Sequence, residues 1–134
     1  IITNSLTKPV YAEKSGFLNP EQNVEILNKL SEDLGVMRQS LLFSGLEVLA
    51  YNINRRQTDL KMFEFGTVYA KTENGYQEEK RLGIFLTGDK HIESWQMPSV
   101  PVGFADLYSV VDLILEKLGY EGAEVEIIHE APYD

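Results

Sequence analysis

Two runs, LKMFEFGTVYA at residues 60–70 and KRLGIFLTGD at 80–89, flank the dipeptide Asn74-Gly75. An Asn-Gly pair between strand-like runs is the strongest short-range hairpin signal, because few other dipeptides accept the positive φ of a tight turn. The first run alternates as a half-buried strand does, with Gly66 in its middle. The second is apolar almost without interruption, which predicts that both of its faces are covered. Residues 60–88 therefore read as a long antiparallel hairpin with a polar tip. Consecutive paired strands argue for a largely antiparallel sheet carrying helices, an α+β fold.

The remaining elements fit around that hairpin. IITNSL at the start reads as a short strand. TKPVYAEKSGFLNPEQ, rich in Pro, Gly and Asn, reads as loop, with a single helical turn starting at Asn19-Pro20-Glu21. NVEILNKL suits a strand, with Val24, Ile26 and Leu30 on one side, and SEDLG a turn. The spacing of Leu42, Leu46, Leu49 and Ile53 predicts a helix over 38–55 with those residues against the sheet. Arg55 and Arg56 would close its C-terminus, where positive charge suits the macrodipole. KHIESWQMPSVPVG reads as loop. A second helix is predicted over 105–118, with a stripe of Leu107, Val110, Val111, Ile114, Leu115 and Leu118 and with Gly119 as the residue that ends it. AEVEIIHE alternates as a final strand.

Composition narrows the function classes. The 134 residues suit one ordinary domain, and a chain of this size buries roughly two-thirds of its unfolded surface. The formal net charge is −9. Such a surface repels phosphate backbones, so the chain is a poor candidate for wrapping nucleic acid alone. With no cysteine, disulfides, thiolate metal sites and a cysteine nucleophile are excluded, and a cytoplasmic origin is favoured. No apolar run has bilayer-spanning length, and no signal peptide is visible. The sequence opens without methionine, which suggests a fragment of something larger.

The residues that could carry chemistry read more simply as structure. His91 and His129 lack companions at metal-ligand spacing. Glu78, Glu79, Lys80 and Arg81 read as a solvated charge run rather than a paired-carboxylate site. Arg55 and Arg56 could touch phosphate, but helix capping explains them. Trp95 is expected to pack back onto the sheet. No P-loop, GxGxxG or GxSxG is present, so no catalytic apparatus is visible.

An ordered set of phrases does carry a resemblance. Asn4-Ser5-Leu6 ends the first strand, and Asn28 is followed by Leu30-Ser31-Glu32-Asp33. Then come Met37 to Leu42, Asn52 to Gln57, Met62 to Gly66, Arg81 to Gly83, and Phe104 to Leu107. Across essentially the whole chain these resemble the beta subunit of bacterial-type phenylalanine–tRNA synthetase. The resemblance implies a class II synthetase-like core, an antiparallel sheet flanked by helices, with residues 1–134 as a single truncated core domain. IITNSL would be the motif 1 strand, its long helix lying upstream and the motif 3 region downstream. LKMFEFGTVYA and KRLGIFLTG would be the two motif 2 strands.

In active class II cores that strand carries an arginine that grips the ATP α-phosphate, followed shortly by an acid. Matching Gly66-Thr67-Val68-Tyr69-Ala70 to the active pattern puts Ala70 in the arginine's place and Thr72 in the acid's. Alanine offers a phosphate neither charge nor hydrogen bond. The resemblance thus implies a degenerate, non-catalytic core with no catalytic, cofactor or metal residues of its own. It would belong to an ATP-dependent ligase that attaches phenylalanine to tRNA(Phe). ATP and Mg2+ would be used by the whole enzyme, an α2β2 heterotetramer whose chemistry lies in the alpha subunit. The module would support the alpha subunit and meet tRNA only through the assembly. Two alternatives stay open: a regulatory nucleotide-binding module, and a stand-alone interaction domain.

Overall fold

The computed structural model describes residues 1–29, 31, 34–91 and 94–120. The predicted final strand and His129 lie outside them. The element order is β1 (Leu6–Thr7), α1 (Val10–Lys14), a 3-10 turn (Pro20–Gln22), β2 (Val24–Glu25), β3 (Val36–Met37), α2 (Leu42–Ile53), β4 (Lys61–Thr72), β5 (Gly75–Leu86) and α3 (Phe104–Lys117). The class is α+β, as expected. A small antiparallel sheet in the order β1-β3-β2 accompanies the β4–β5 hairpin.

The hairpin runs in unbroken register from Lys61↔Leu86 to Thr72↔Gly75. The turn differs from the expectation by one residue. Glu73 and Asn74 form it, and Gly75 (φ 118) is the one that takes the positive φ. An L-residue is disfavoured in that conformation, so glycine remains the residue that closes the loop. Coverage of the strands also departs from the reading of 80–89. Residues 75–82 are exposed, and only Phe85 of β5 is fully buried.

One face of β4, with Glu64 and Val68 buried, turns inward. The buried apolar residues are Ala12, Val36, Leu41, Leu49, Val68 and Phe85. The predicted α2 stripe is only partly right. Leu49 is buried and Leu42 half-buried, but Leu46 and Ile53 are exposed. The packed side is rotated toward Ser44 and Gly45. The reason is the ring of Phe85, which sits 2.0 Å from where a Cβ on Gly45 would be. A helix can approach the sheet this closely only through its small residues, so the large ones turn outward.

The helix also starts later than predicted, at Leu42 rather than Arg38, because Val36–Met37 is the central strand of the small sheet. Of IITNSL only Leu6 lies in a strand, the two-residue β1. The Pro-rich stretch read as loop contains α1, too short to leave a periodic signal. Stacked rings hold it: Tyr11 lies on Phe43 at 4.5 Å, and Phe43 on Phe17 at 5.8 Å. The Tyr11 hydroxyl donates to Glu47, and burial followed by that carboxylate raises its pKa. The turn at Pro20 forms as expected, with the Asn19 side chain accepting from the Glu21 amide at 2.9 Å.

After β5 the chain folds back through Lys90 N–H to Val100 O (2.9 Å) and Val102 N–H to Gly88 O (2.8 Å). Trp95 does not pack on the sheet; it is 91% exposed. Asp106 begins α3 by accepting from the Gly103 amide at 2.8 Å and pairing with Lys90 at 2.8 Å. Those two contacts hold its carboxyl below the ordinary aspartate range. Gly119 (φ 81) follows the helix as predicted. None of the stripe residues of α3 is fully buried. No helix among the described residues is long and apolar enough to cross a membrane.

Candidate functional site

The inward face of the hairpin continues past the core toward the tip and becomes one wall of a cleft of about 390 Å³. Alternation along β4 puts Val68, Ala70 and Thr72 on this wall. The register sets Glu79 opposite Val68 and Gln77 opposite Ala70, with Arg81 opposite Gly66. The other wall is Phe17 to Asn19 and Gln22, with Gln39 and Ser40 at the base. Gln39 ties the base to the wall at residues 17–22. Its amide nitrogen donates to Asn19 O at 2.8 Å and to Asn23 Oδ1 at 2.7 Å, and the Asn19 amide donates to its oxygen at 3.4 Å.

The two positions singled out from sequence, Ala70 and Thr72, thus share one concave surface. The residues Glu78 to Arg81, read as a uniform charge run, are divided by the strand. Glu79 and Arg81 line the cleft, while Glu78 and Lys80 point to the other face. The period-2 rule carried that information, and it was outweighed by the run's charge. Arg81 donates to Glu79 at 2.7 Å. They are the only cation and the only carboxylate among the lining residues, so the lining has no net charge.

Behind the cleft stands an arginine that periodicity had placed inside a helix. Arg38 is 3% exposed and Glu64 2%, and the two meet at 2.9 Å. Arg38 Nε donates to Thr67 O at 3.0 Å and Nη1 to the Thr3 hydroxyl at 2.6 Å. Its own N–H donates to Ser5 O at 2.9 Å, and its carbonyl accepts from Tyr69 N–H at 2.8 Å. Glu64 accepts from the Thr3 amide and hydroxyl. Burial alone would raise the Glu64 pKa. The hydrogen bonds from Thr3 and the Arg38 guanidinium outweigh it and hold the carboxyl below its ordinary value. One residue therefore joins the segment at 3–5, the end of β3 and the middle of β4. The guanidinium is consumed within the fold and does not reach into the cleft.

Gly66 is what admits Arg38. A Cβ there would lie 2.4 Å from Arg38 Nη2 and 2.6 Å from Leu41 Cδ2. The remaining candidates are not brought together. His91 contacts Pro98 O at 3.3 Å, and no group of three or more His, Cys, Asp or Glu suited to a metal occurs among the described residues. Arg55 and Arg56 lie just past the end of α2 rather than within it.

Comparison with known proteins converges on one family. The phenylalanyl tRNA synthetase beta chain CLM domain family matches residues 1–133. The chain is 39% identical over 130 residues to the phenylalanine–tRNA ligase beta subunit of Bacteroides thetaiotaomicron, and 38% identical over 130 residues to that of Porphyromonas gingivalis. In each case the match covers 90% of this chain and 16% of the relative. To the subunit of Chlorobium chlorochromatii it is 37% identical over 122 residues, covering 84% of this chain and 15% of the relative. The chain thus spans about a sixth of the length of the curated relatives it matches. With the family matched from the first residue to the last but one, the chain belongs to the phenylalanyl tRNA synthetase beta chain CLM domain family.

Proposed function

We propose that this chain is a class II synthetase-like core that has kept its scaffold and lost its reaction. It works as an architectural module of a phenylalanine–tRNA ligase, the cytoplasmic enzyme that attaches phenylalanine to tRNA(Phe) using ATP. The chemistry lies in an alpha subunit, and the module packs against that subunit within an α2β2 assembly. Its contact with tRNA comes through the assembly.

The observation that carries this reading is the cleft. At the position where an active core would grip the ATP α-phosphate stands Ala70, and Thr72 stands where the acid would be. Nothing else in the cleft replaces them. Its one arginine, Arg81, is held by Glu79, and the nearest buried arginine, Arg38, is spent on Glu64. A triphosphate with Mg2+ needs uncompensated cations for the phosphates and free carboxylates for the metal. The lining residues fit neither. A regulatory nucleotide site is disfavoured for the same reason.

Titration calorimetry of the β subunit with ATP and Mg2+ tests the reading. The expected result is no saturable binding tighter than about 0.1 mM, roughly 5.5 kcal/mol. In the complete ligase, Ala70→Ser and Thr72→Val should leave the aminoacylation kcat unchanged. A tight site in the isolated β subunit that Ala70→Ser weakens would replace the silent-core reading with the regulatory one.

A further inference from the structure

Helix α2 runs out through Tyr51-Asn52-Ile53-Asn54-Arg55-Arg56-Gln57, and Arg56 has φ 63. It is the one non-glycine residue with positive φ among the described residues. Its N–H donates to Ile53 O at 2.9 Å, and that of Gln57 to Asn52 O at 3.1 Å. Arg56 therefore holds the left-handed position that ends many helices, where glycine is favoured and a Cβ is penalised.

The macrodipole accounts for positive charge here, and Arg55 answers it. Arg55 Nη1 donates to Tyr51 O at 3.0 Å, and its guanidinium lies 3.4 Å from the centre of the Tyr51 ring. That leaves Arg56 without an internal reason. It is exposed, and its side chain makes no hydrogen bond or ion pair among the described residues. A residue in a disfavoured backbone conformation, exposed and with no polar partner among the described residues, points to a use outside the fold.

The surroundings indicate what kind. Tyr51 is 57% and Ile53 44% exposed beside the arginine pair. Tyrosine, arginine and an aliphatic side chain together are typical of protein–protein contacts. The chain's net charge of −9 opposes a polyanionic nucleic-acid backbone far more than it opposes a single carboxylate. We infer that the Arg55–Arg56 corner is a carboxylate-binding site at the interface with the partner subunit. Arg56 takes an Asp or Glu of that subunit through its planar fork, and Arg55, pinned on Tyr51, keeps the positive field in place. This rests on the assembly reading above.

The experiment uses the full-length β subunit and its partner subunit, with Arg56→Gly and Arg56→Lys. Glycine relieves the backbone while removing the side chain, so the Tm of the β subunit alone should hold or rise. Association should nevertheless weaken about tenfold or more, and the difference should shrink as salt is added. Lysine should restore only part. A wild-type complex that forms normally while Arg56→Gly binds as tightly overturns this site and leaves the assembly reading intact. Weakened binding of tRNA(Phe) to the ligase with subunit association unchanged also overturns it, in favour of a phosphate contact. Failure of the wild-type subunits to associate overturns both.

Discussion

Gly66 shows how much one missing methyl group decides. An interior strand position ordinarily disfavours glycine, for want of a side chain to pack. Here the vacancy is filled by the Arg38 guanidinium and Leu41. Gly66→Ala should therefore destabilise the chain by about 1–3 kcal/mol through forced displacement of Arg38, read by urea denaturation. A change within about 0.5 kcal/mol, the range of surface substitutions, would mean that the buried ion pair tolerates the shift. Glu64 gives a second residue-scale prediction. Its folded pKa lies below the ordinary glutamate value of 4.5. The stability it contributes is thus complete above pH 4.5 and is lost as pH falls through the folded value. Glu64→Gln should cost on the order of 3–5 kcal/mol at pH 7, because a buried guanidinium loses its counter-charge. The same variant should show a shallower loss of stability on acidification below pH 4.5. Parallel acid-unfolding curves for the two proteins would refute the assignment.

At the scale of elements, α2 separates two kinds of apolar residue that periodicity treats alike. Leu49→Ala should cost about 2–5 kcal/mol, as a buried leucine does. Leu46→Ala should cost well under 1 kcal/mol, since Leu46 is 43% exposed and surface changes are small. Equal effects at the two positions would show that the outward face is covered in solution. The stripe was visible in the sequence. Its rotation away from the sheet was not, because it depends on Phe85, a residue of another strand whose ring needs the space above Gly45. The late start of the helix has a similar origin. Residues 36 to 38 could extend the helical pattern, but Leu6 and Val24 claim Met37 from both sides as a strand partner.

For the whole molecule, the outer face of the hairpin is the largest question of coverage. Phe63 and Phe65, at 57% and 76% exposure, stack edge to face at 5.9 Å, and Leu82 lies across from Phe65. An apolar surface of this kind promotes association. The 134-residue chain studied alone should self-associate at high concentration, and the double change Phe63→Ser, Phe65→Ser should shift it toward monomer in sedimentation velocity. Unchanged monomeric behaviour of the unmodified chain would show that the exposed rings are too scattered to dock. The acidic net charge works against association at low salt, so adding salt should strengthen it.

The sequence by itself determined the elements whose signals are local. The hairpin followed from Asn74-Gly75 between two apolar runs, the turn at Pro20 from Asn19 and Pro20, and the end of α3 from Gly119. The family was legible as well, because its phrases recur in order along the whole chain. Ala70 and Thr72 could be paired by alternation alone, two residues apart on one strand. Only the tertiary structure decided what distant segments do to each other. It withdrew Arg38 from the predicted helix and buried it against Glu64. It turned Leu46 and Ile53 outward, and it decided that of the two pairs alternation separates, Glu79 with Arg81 rather than Glu78 with Lys80 faces the cleft. The physical reason is common to these cases. A periodic pattern records which residues share a face, but which face is buried is set by the shapes that meet it, and those shapes come from other segments of the chain.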